Sequence, residues 1–172
     1  MLDTERSRPD GGGAEAGPGA AQTTGEDIQI AAGDGRLLAA TLFRPAGGPT
    51  PTAPLTVIAG GTGIPRRYYA RLAAWLAARN RLVLTFDYRD TGGSRSGSLK
   101  GSQVTMRDWC LLDVPGAIAW GAREHPDRPL HWLGHSLGGF AVGLAHNNHR
   151  IARQLNVGTL SGYWRHMAGL ER

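Results

Sequence analysis

A serine stands between two glycines in the segment Gly134-His135-Ser136-Leu137-Gly138, and these residue types at this spacing can support covalent catalysis. A serine that exposes its hydroxyl at the end of a strand sits in a tight, strained turn, where side chains two residues before and after it would collide. Glycine at both positions removes that collision. The spacing therefore predicts that Ser136 is a nucleophile and that the Leu137 amide, at the start of a helix, donates to an oxyanion.

The residues around this turn are those that such a serine requires. An apolar run at 130–133 predicts a strand before Ser136, and the run at 140–145 predicts a helix after it. Upstream, residues 55–59 and 82–86 are short, unbroken runs of β-forming residues. Such runs are typical of strands that are buried on both faces of a parallel sheet.

The remaining elements follow from periodicity and turn chemistry. Residues 28–32 and 37–43 are separated by a turn that contains Asp-Gly, which predicts a β-hairpin. A helix is predicted from Thr105 to about 122, with Pro115 bending or restarting it, and a last strand at 154–160. A further helix, ending at Asn80, is predicted because apolar residues recur at helical spacing. These residues are Tyr69, Leu72, Ala73, Leu76 and Ala77. This alternation predicts an α/β protein with a mostly parallel sheet flanked by helices.

Composition divides the chain into a tail and a domain. Residues 1–26 are rich in glycine, alanine and proline and contain almost no large apolar residue, so we expect a disordered tail. Residues 27–172 are expected to form one partial domain. No signal peptide and no membrane span are predicted, because acidic residues and prolines interrupt the start of the chain and no apolar run approaches about 20 residues.

The charged and sulfur-containing residues narrow the function classes. The net charge of +5 comes from scattered arginines rather than from a basic block, so nucleic-acid binding is not expected. Cys110 is the single cysteine, which excludes a disulfide framework and a cysteine-based metal site and favours a reducing, cytoplasmic location. The chain has no phosphate-binding loop and no His-x-x-x-His pair, so no cofactor and no metal are predicted.

Three segments of the sequence resemble the α/β-hydrolase superfamily, in its esterase, lipase and serine-aminopeptidase-like branch, over residues 27–165. They are GHSLGG at 134–139, the glycine-rich turn at 60–63 and DYRDTGGS at 87–94. The last is similar to the family's D-x-R-G-x-G-x-S segment, with Asp90 in place of the usual glycine, which leaves the geometry of that turn open. The resemblance implies the α/β-hydrolase fold.

By resemblance, the second oxyanion donor is the backbone amide of Gly61, with Thr62 as the alternative if the alignment slips by one residue. The family usually has His-Gly at this strand end, whereas this chain has Ala59-Gly60. Because the donor is a backbone amide, the missing histidine need not remove the oxyanion site. A merely permissive glycine turn is the other interpretation of this segment.

In this family an acid and then a histidine follow the serine along the chain. After Ser136 the histidines are His146, His149 and His166, and the one carboxylate is Glu171. We expect the first two histidines on the surface and the third in a loop, so neither the acid nor the base is identified. The family has about eight strands, and we therefore expect a fold truncated after about the sixth, inactive alone, whose last strand leaves an apolar edge open to self-association.

Several aromatic and imidazole side chains could line an acyl-binding pocket. They are His135, Tyr68, Tyr69, Tyr163 and Trp164, for which packing in the core is the competing interpretation. The predicted parent activity is hydrolysis of an ester, amide or related acyl bond of a small molecule through an acyl-enzyme on the serine. The alternatives are an acyltransferase of the same fold and a non-catalytic pseudoenzyme or interaction fragment.

Overall fold

Strands and helices alternate in the order that the sequence predicts. A computed structural model describes residues 25–159. The strands are β1 (Gly25–Ala31), β2 (Leu37–Phe43), β3 (Leu55–Ala59), β4 (Leu82–Phe86), β5 (Leu130–His135) and β6 (Ile151–Val157). The helices are α1 (Ala70–Ala77), α2 (Met106–Asp108), α3 (Val114–Glu124) and α4 (Leu137–Ala141), with 3-10 turns at Arg66–Tyr69, Gly92–Ser94, Val142–Leu144 and Asn148–Arg150 and a π-helical turn at Trp109–Asp113.

The six strands form one sheet in the order β1-β2-β4-β3-β5-β6. β1 and β2 are the predicted antiparallel hairpin, and β2 also runs antiparallel to β4. β4, β3, β5 and β6 are mutually parallel. β3 and β4 are buried at every residue, which confirms their prediction as strands covered on both faces. The mostly parallel sheet places the carboxyl ends of β3, β4 and β5 along one edge.

Helices cover both faces of the sheet. α1 packs against the face that carries Ile58 and Val83. Of the predicted stripe, Ala73 and Ala77 are buried in α1, Tyr69 is buried at the end of the preceding 3-10 turn, and Leu72 is exposed. α3 and α4 lie on the opposite face, over the larger apolar cluster. The chain reverses after α1 at Asn80, whose φ of 59° is the left-handed conformation expected of a helix stop.

The predicted helix after Thr105 is continuous but not uniform. Thr105 caps it through a reciprocal bond with Asp108, as a capping box does. A π-helical turn follows, and regular helix restarts at Val114 with Pro115 in its first turn. Proline is tolerated there because first-turn amides have no acceptor within the helix. The prediction of a restart at this proline is thus confirmed.

Some predicted boundaries were wrong. Gly25 and Glu26 were assigned to the tail but belong to β1, because β2 extends to Phe43 and pairs with them. The last strand begins at Ile151 rather than at residue 154, because it pairs with β5 from that point. The helix after the serine begins at Leu137 rather than at 140, and it turns into 3-10 geometry at Val142. Residues 1–24 of the predicted tail and the end of the predicted last strand lie outside the described residues.

β6 lies at the margin of the sheet. Within residues 25–159 it pairs with β5 alone. Leu155 and Val157 are 60% and 49% exposed. None of the helices between residues 25 and 159 combines the length and the apolar character that a bilayer crossing requires.

Candidate active site

Ser136 occupies a strained turn between β5 and α4. Its φ of 51° and ψ of −112° are rare for a residue that carries a side chain. A Cβ atom on Gly134 would lie 2.5 Å from the backbone nitrogen of Gly139, and a Cβ atom on Gly138 would overlap the carbonyl oxygen of Ala59. The two glycines are therefore required by close backbone approach, for the steric reason on which the sequence prediction was based.

Two hydrogen bonds hold this turn in place. The Ser136 amide donates to the carbonyl oxygen of Val157, at the end of β6, over 2.9 Å. The indole nitrogen of Trp132 donates to the carbonyl oxygen of Gly138 over 3.0 Å, and Trp132 is buried. The strand that leads into the serine, β5, and its neighbour β6 thus fix the backbone of the turn.

The structure brings the three predicted site residues together. Leu137 is the first residue of α4, so its amide has no acceptor within the helix and is free to donate to a ligand. Gly61 follows β3 directly, and a Cβ atom there would lie 3.3 Å from Cβ of Ser136. The Gly61 amide, however, already donates to the hydroxyl of Tyr69 over 3.0 Å. Thr62, the alternative donor, is exposed.

The imidazole groups of the sequence are distributed as follows. His135 is half-buried, and its Nδ1 lies 2.8 Å from the Tyr69 hydroxyl. His146 and His149 are exposed, as predicted. His166, with Glu171, lies outside the described residues. Between residues 25 and 159, no histidine and no carboxylate forms a hydrogen bond with the Ser136 hydroxyl, and no group of His, Cys, Asp and Glu side chains there is arranged to hold a metal ion.

Of the aromatic residues proposed for an acyl pocket, the structure describes two. Tyr68 is 70% exposed and Tyr69 is 6% exposed. Tyr163 and Trp164 lie outside the described residues. The sequence placed Tyr69 on the apolar stripe of a helix. It is buried, but it lies in the 3-10 turn that precedes α1, and no feature of its spacing indicated that its hydroxyl meets Gly61 and His135.

The loop after β4 is organised by a buried carboxylate. Asp87 accepts hydrogen bonds from the Arg66 amide and guanidinium, both at 2.6 Å, and from the Gly93 amide at 2.8 Å. Asp90, which replaces the family's glycine, has a φ of 59°. It forms an ion pair with Arg36. The aspartate thus adopts the left-handed conformation that glycine usually provides, and an ion pair holds it there.

A second buried charge connects this loop to the helical layer. The Arg89 amide and guanidinium donate to the carboxylate of Asp113 over 2.8 and 2.7 Å. The guanidinium also contacts Asp34, in the β1–β2 turn, at 3.0 Å. Burial raises the pKa of Asp113 to about 6 despite these bonds. The sequence did not indicate this network, because its members are far apart along the chain.

Comparison with known proteins agrees with this architecture. The profile of the serine aminopeptidase (S33) hydrolases matches residues 50–162 of the chain. No curated protein is significantly similar to it in sequence.

Three solved structures show the same fold. The esterase Pf2001 of Pyrococcus furiosus superposes with a TM-score of 0.62 at 19% identity, over 86% of this chain and 56% of that one. The α/β-hydrolase GrgF of Penicillium sp. sh18 superposes with a TM-score of 0.64 at 20% identity, over 80% of this chain and 46% of that one. The hypothetical protein PA2218 of Pseudomonas aeruginosa superposes with a TM-score of 0.64 at 20% identity, over 81% of this chain and 44% of that one. The sheet and its flanking helices are thus an α/β-hydrolase fold, and the chain spans about half the length of the solved structures that it matches.

Proposed function

Since the chain belongs to the serine aminopeptidase (S33) family of hydrolases, we propose that it provides the nucleophile of an acyl-bond hydrolase. Ser136 attacks the acyl carbon of a small-molecule ester. Esters are favoured over amides because solved structures of this fold with similar sheets include esterases. The observation that carries the proposal is the left-handed backbone of Ser136 between glycines that cannot hold a side chain.

The reaction follows from the position of the serine. The oxygen of Ser136 bonds to the acyl carbon and gives up its proton to a base, while the carbonyl oxygen takes up the negative charge. The tetrahedral intermediate then collapses, the bond to the alcohol oxygen breaks, and the alcohol leaves with a proton. Water hydrolyses the acyl-enzyme in the same manner. The Leu137 amide stabilises the charge in both steps.

Among residues 25–159, no histidine and no carboxylate forms a hydrogen bond with the Ser136 hydroxyl. We propose that residues 1–172 alone turn over esters at close to the background rate. A positioned general base contributes about 100- to 10,000-fold to such reactions. Imidazole added to the buffer can accept the serine proton in its place. The oxyanion site acts independently of the base and should still favour reaction at this serine.

We expect a fluorophosphonate to label Ser136 slowly, and imidazole to accelerate the labelling in proportion to its concentration. The serine oxygen bonds to phosphorus, fluoride leaves, and imidazole takes the proton. Intact-protein and peptide mass spectrometry measure the rate and locate the adduct. Ser136→Ala should remove the adduct at every imidazole concentration, since no other serine between residues 25 and 159 lies in such a turn.

Ser94→Ala is the matched control, because Ser94 is a buried serine whose hydroxyl donates to the Asp87 carbonyl oxygen and accepts from the Ala39 amide of β2. It should keep the imidazole-dependent adduct at Ser136. Labelling that persists in Ser136→Ala, or that imidazole leaves unchanged, would contradict the proposal. Rapid labelling and ester turnover without imidazole would show instead that the chain is active alone.

A second candidate, self-association, is favoured by the edge of the sheet. In the part of the chain that the structure describes, β6 presents an unpaired backbone and the exposed side chains of Leu155 and Val157. Beside it lies a groove of about 310 Å³ that Leu155 lines together with Leu133 and Trp132. We propose that two copies of the chain pair at β6, because an open edge of this kind binds another strand.

Leu155→Lys is expected to shift the protein from dimer to monomer, because a lysine on an edge strand opposes strand pairing. Light scattering after size-exclusion chromatography, over a range of concentrations, measures the change in mass. Leu144→Lys replaces a leucine that is 49% exposed and lies outside the sheet, and it should leave the mass unchanged. A wild-type protein that stays monomeric at every concentration would refute the pairing.

A further inference from the structure

The backbone amide that the family resemblance assigns to the oxyanion is already in use. The Gly61 amide donates to the Tyr69 hydroxyl over 3.0 Å, and both atoms are buried. For that amide to meet a substrate oxygen directly, the tyrosine would have to withdraw. The hydroxyl, rather than the amide behind it, is therefore the group that faces the site.

Tyr69 is held firmly in this position. Its ring packs with Ile58 and Ala73 on the α1 face of the sheet. The ring also lies against Gly60, where a Cβ atom would come within 2.9 Å of it. Withdrawal of the hydroxyl would disturb this packing. Burial, the largest cause, also raises the pKa of Tyr69, so the phenol keeps its proton and remains a donor at neutral pH.

The space around the hydroxyl is shared with the nucleophile. Nδ1 of His135 lies 2.8 Å from the Tyr69 hydroxyl oxygen. A Cβ atom placed on Gly61 would lie 3.3 Å from that same Nδ1 and 3.3 Å from Cβ of Ser136. The hydroxyl, the imidazole and the serine thus surround one small volume at the carboxyl ends of β3 and β5.

A count of donors and acceptors leaves two arrangements. A phenol hydroxyl has one proton and can accept two hydrogen bonds. The Gly61 amide fills one acceptor position. If His135 carries its proton on Nε2, the tyrosine must donate to Nδ1 and has no proton left for a substrate. If His135 carries its proton on Nδ1, the imidazole donates to the tyrosine, and the phenol proton is free.

We propose, on the basis of the proposed function, that the Tyr69 hydroxyl is the second donor of the oxyanion site. The Gly61 amide and Nδ1–H of His135 both donate to its oxygen and orient it, and its proton points to the substrate oxygen beside Ser136. Two donated hydrogen bonds polarise the O–H bond and make the phenol a stronger donor. The Leu137 amide is the other donor of the oxyanion site, and the Thr62 amide is not required as a donor.

The kinetic test uses the imidazole-dependent labelling of Ser136 by a fluorophosphonate, in which the phosphoryl oxygen takes up charge as a carbonyl oxygen does. Removal of one oxyanion donor typically slows reaction by about 100- to 1,000-fold. Tyr69→Phe should slow labelling by about 100-fold, with the dependence on imidazole still linear. Trp75→Phe changes an exposed aromatic residue of α1 and should have no effect. If Tyr69→Phe labels as fast as the wild type or faster, the free Gly61 amide is the donor and the proposal is wrong.

A second measurement needs no reaction. Nitrogen NMR of the His135 ring distinguishes the two neutral tautomers. We expect the proton on Nδ1 in the wild type and a change in the Nδ1 shift in Tyr69→Phe, with thermal unfolding confirming that the variant is folded. A proton on Nε2 would overturn the proposal even if labelling behaves as expected. If the wild type does not label at all, the proposed nucleophile fails, and the tautomer alone then decides whether Tyr69 has a free proton.

Discussion

Gly138→Ala is expected to slow the imidazole-dependent labelling of Ser136 by about 100-fold, the effect of a displacement of about 1 Å at a reacting atom. The new methyl group would overlap the carbonyl oxygen of Ala59 and lie 2.6 Å from its carbon. Both neighbours are backbone atoms of a central strand, which cannot move aside cheaply. The start of α4 must shift instead, and with it the serine and the Leu137 amide.

The same substitution should also lower the free energy of unfolding, by about 1–3 kcal/mol, as other overpacked sites do. Urea denaturation followed by circular dichroism measures this change. Gly143→Ala is the matched control, because a Cβ atom there would meet nothing within 4 Å. It should label at the wild-type rate and unfold at the wild-type urea concentration or slightly above it, because alanine restricts the unfolded chain more than glycine does. Equal behaviour of the two variants would mean that the approach of α4 to β3 does not constrain the serine.

Arg89→Leu is expected to lower the free energy of unfolding by about 3–5 kcal/mol, the typical cost of removing one partner from a buried ion pair. The side chain of Arg89 is 6% exposed and that of Asp113 is fully buried. Without the guanidinium, the Asp113 carboxylate stays buried with no compensating charge, and the bonds to Asp34 are lost as well. Arg123→Leu breaks an exposed pair with Glu124 and should cost about 1 kcal/mol or less.

The cost of Arg89→Leu should depend on pH. The pKa of Asp113 in the folded protein, about 6, lies above its usual 3.8, so ionisation of this group opposes folding as the pH rises through 6. In the variant, ionisation of Asp113 costs the folded state more free energy, since the Arg89 cation that neutralises it is gone. The difference in unfolding free energy between variant and wild type should therefore be larger at pH 8 than at pH 4.5. A difference that is the same at both pH values would argue against an uncompensated carboxylate at Asp113.

The sequence predicts the parts of the fold that local patterns determine. β3 and β4 are unbroken runs of β-forming residues, and only a strand covered on both faces buries every residue of such a run. The Asp-Gly turn between β1 and β2 likewise determines its own hairpin. The glycines on either side of Ser136 are required by close contacts at the turn, so their spacing alone predicted the turn.

The features that the sequence did not predict depend on residues far apart in the chain. Tyr69 and His135, which meet at the hydroxyl, are separated by 66 positions, and Arg89 and Asp113 by 24. β6 begins three residues early because its register is set by β5, not by its own composition. The left-handed turn at Asp90 is likewise maintained by Arg36 from another loop. Tertiary contacts override local preference in each of these places.

The bond from the Ser136 amide to Val157 connects the turn that holds Ser136 to β6, which is the outermost strand on that side among residues 25–159. Strands at the margin of a sheet open more easily than those at its centre, long before the molecule unfolds as a whole. When the end of β6 frays, the serine loses a restraint on its strained backbone and can relax. If Ser136 is the nucleophile, we therefore expect its reactivity to be lost as β6 frays, at a temperature below that at which the core melts.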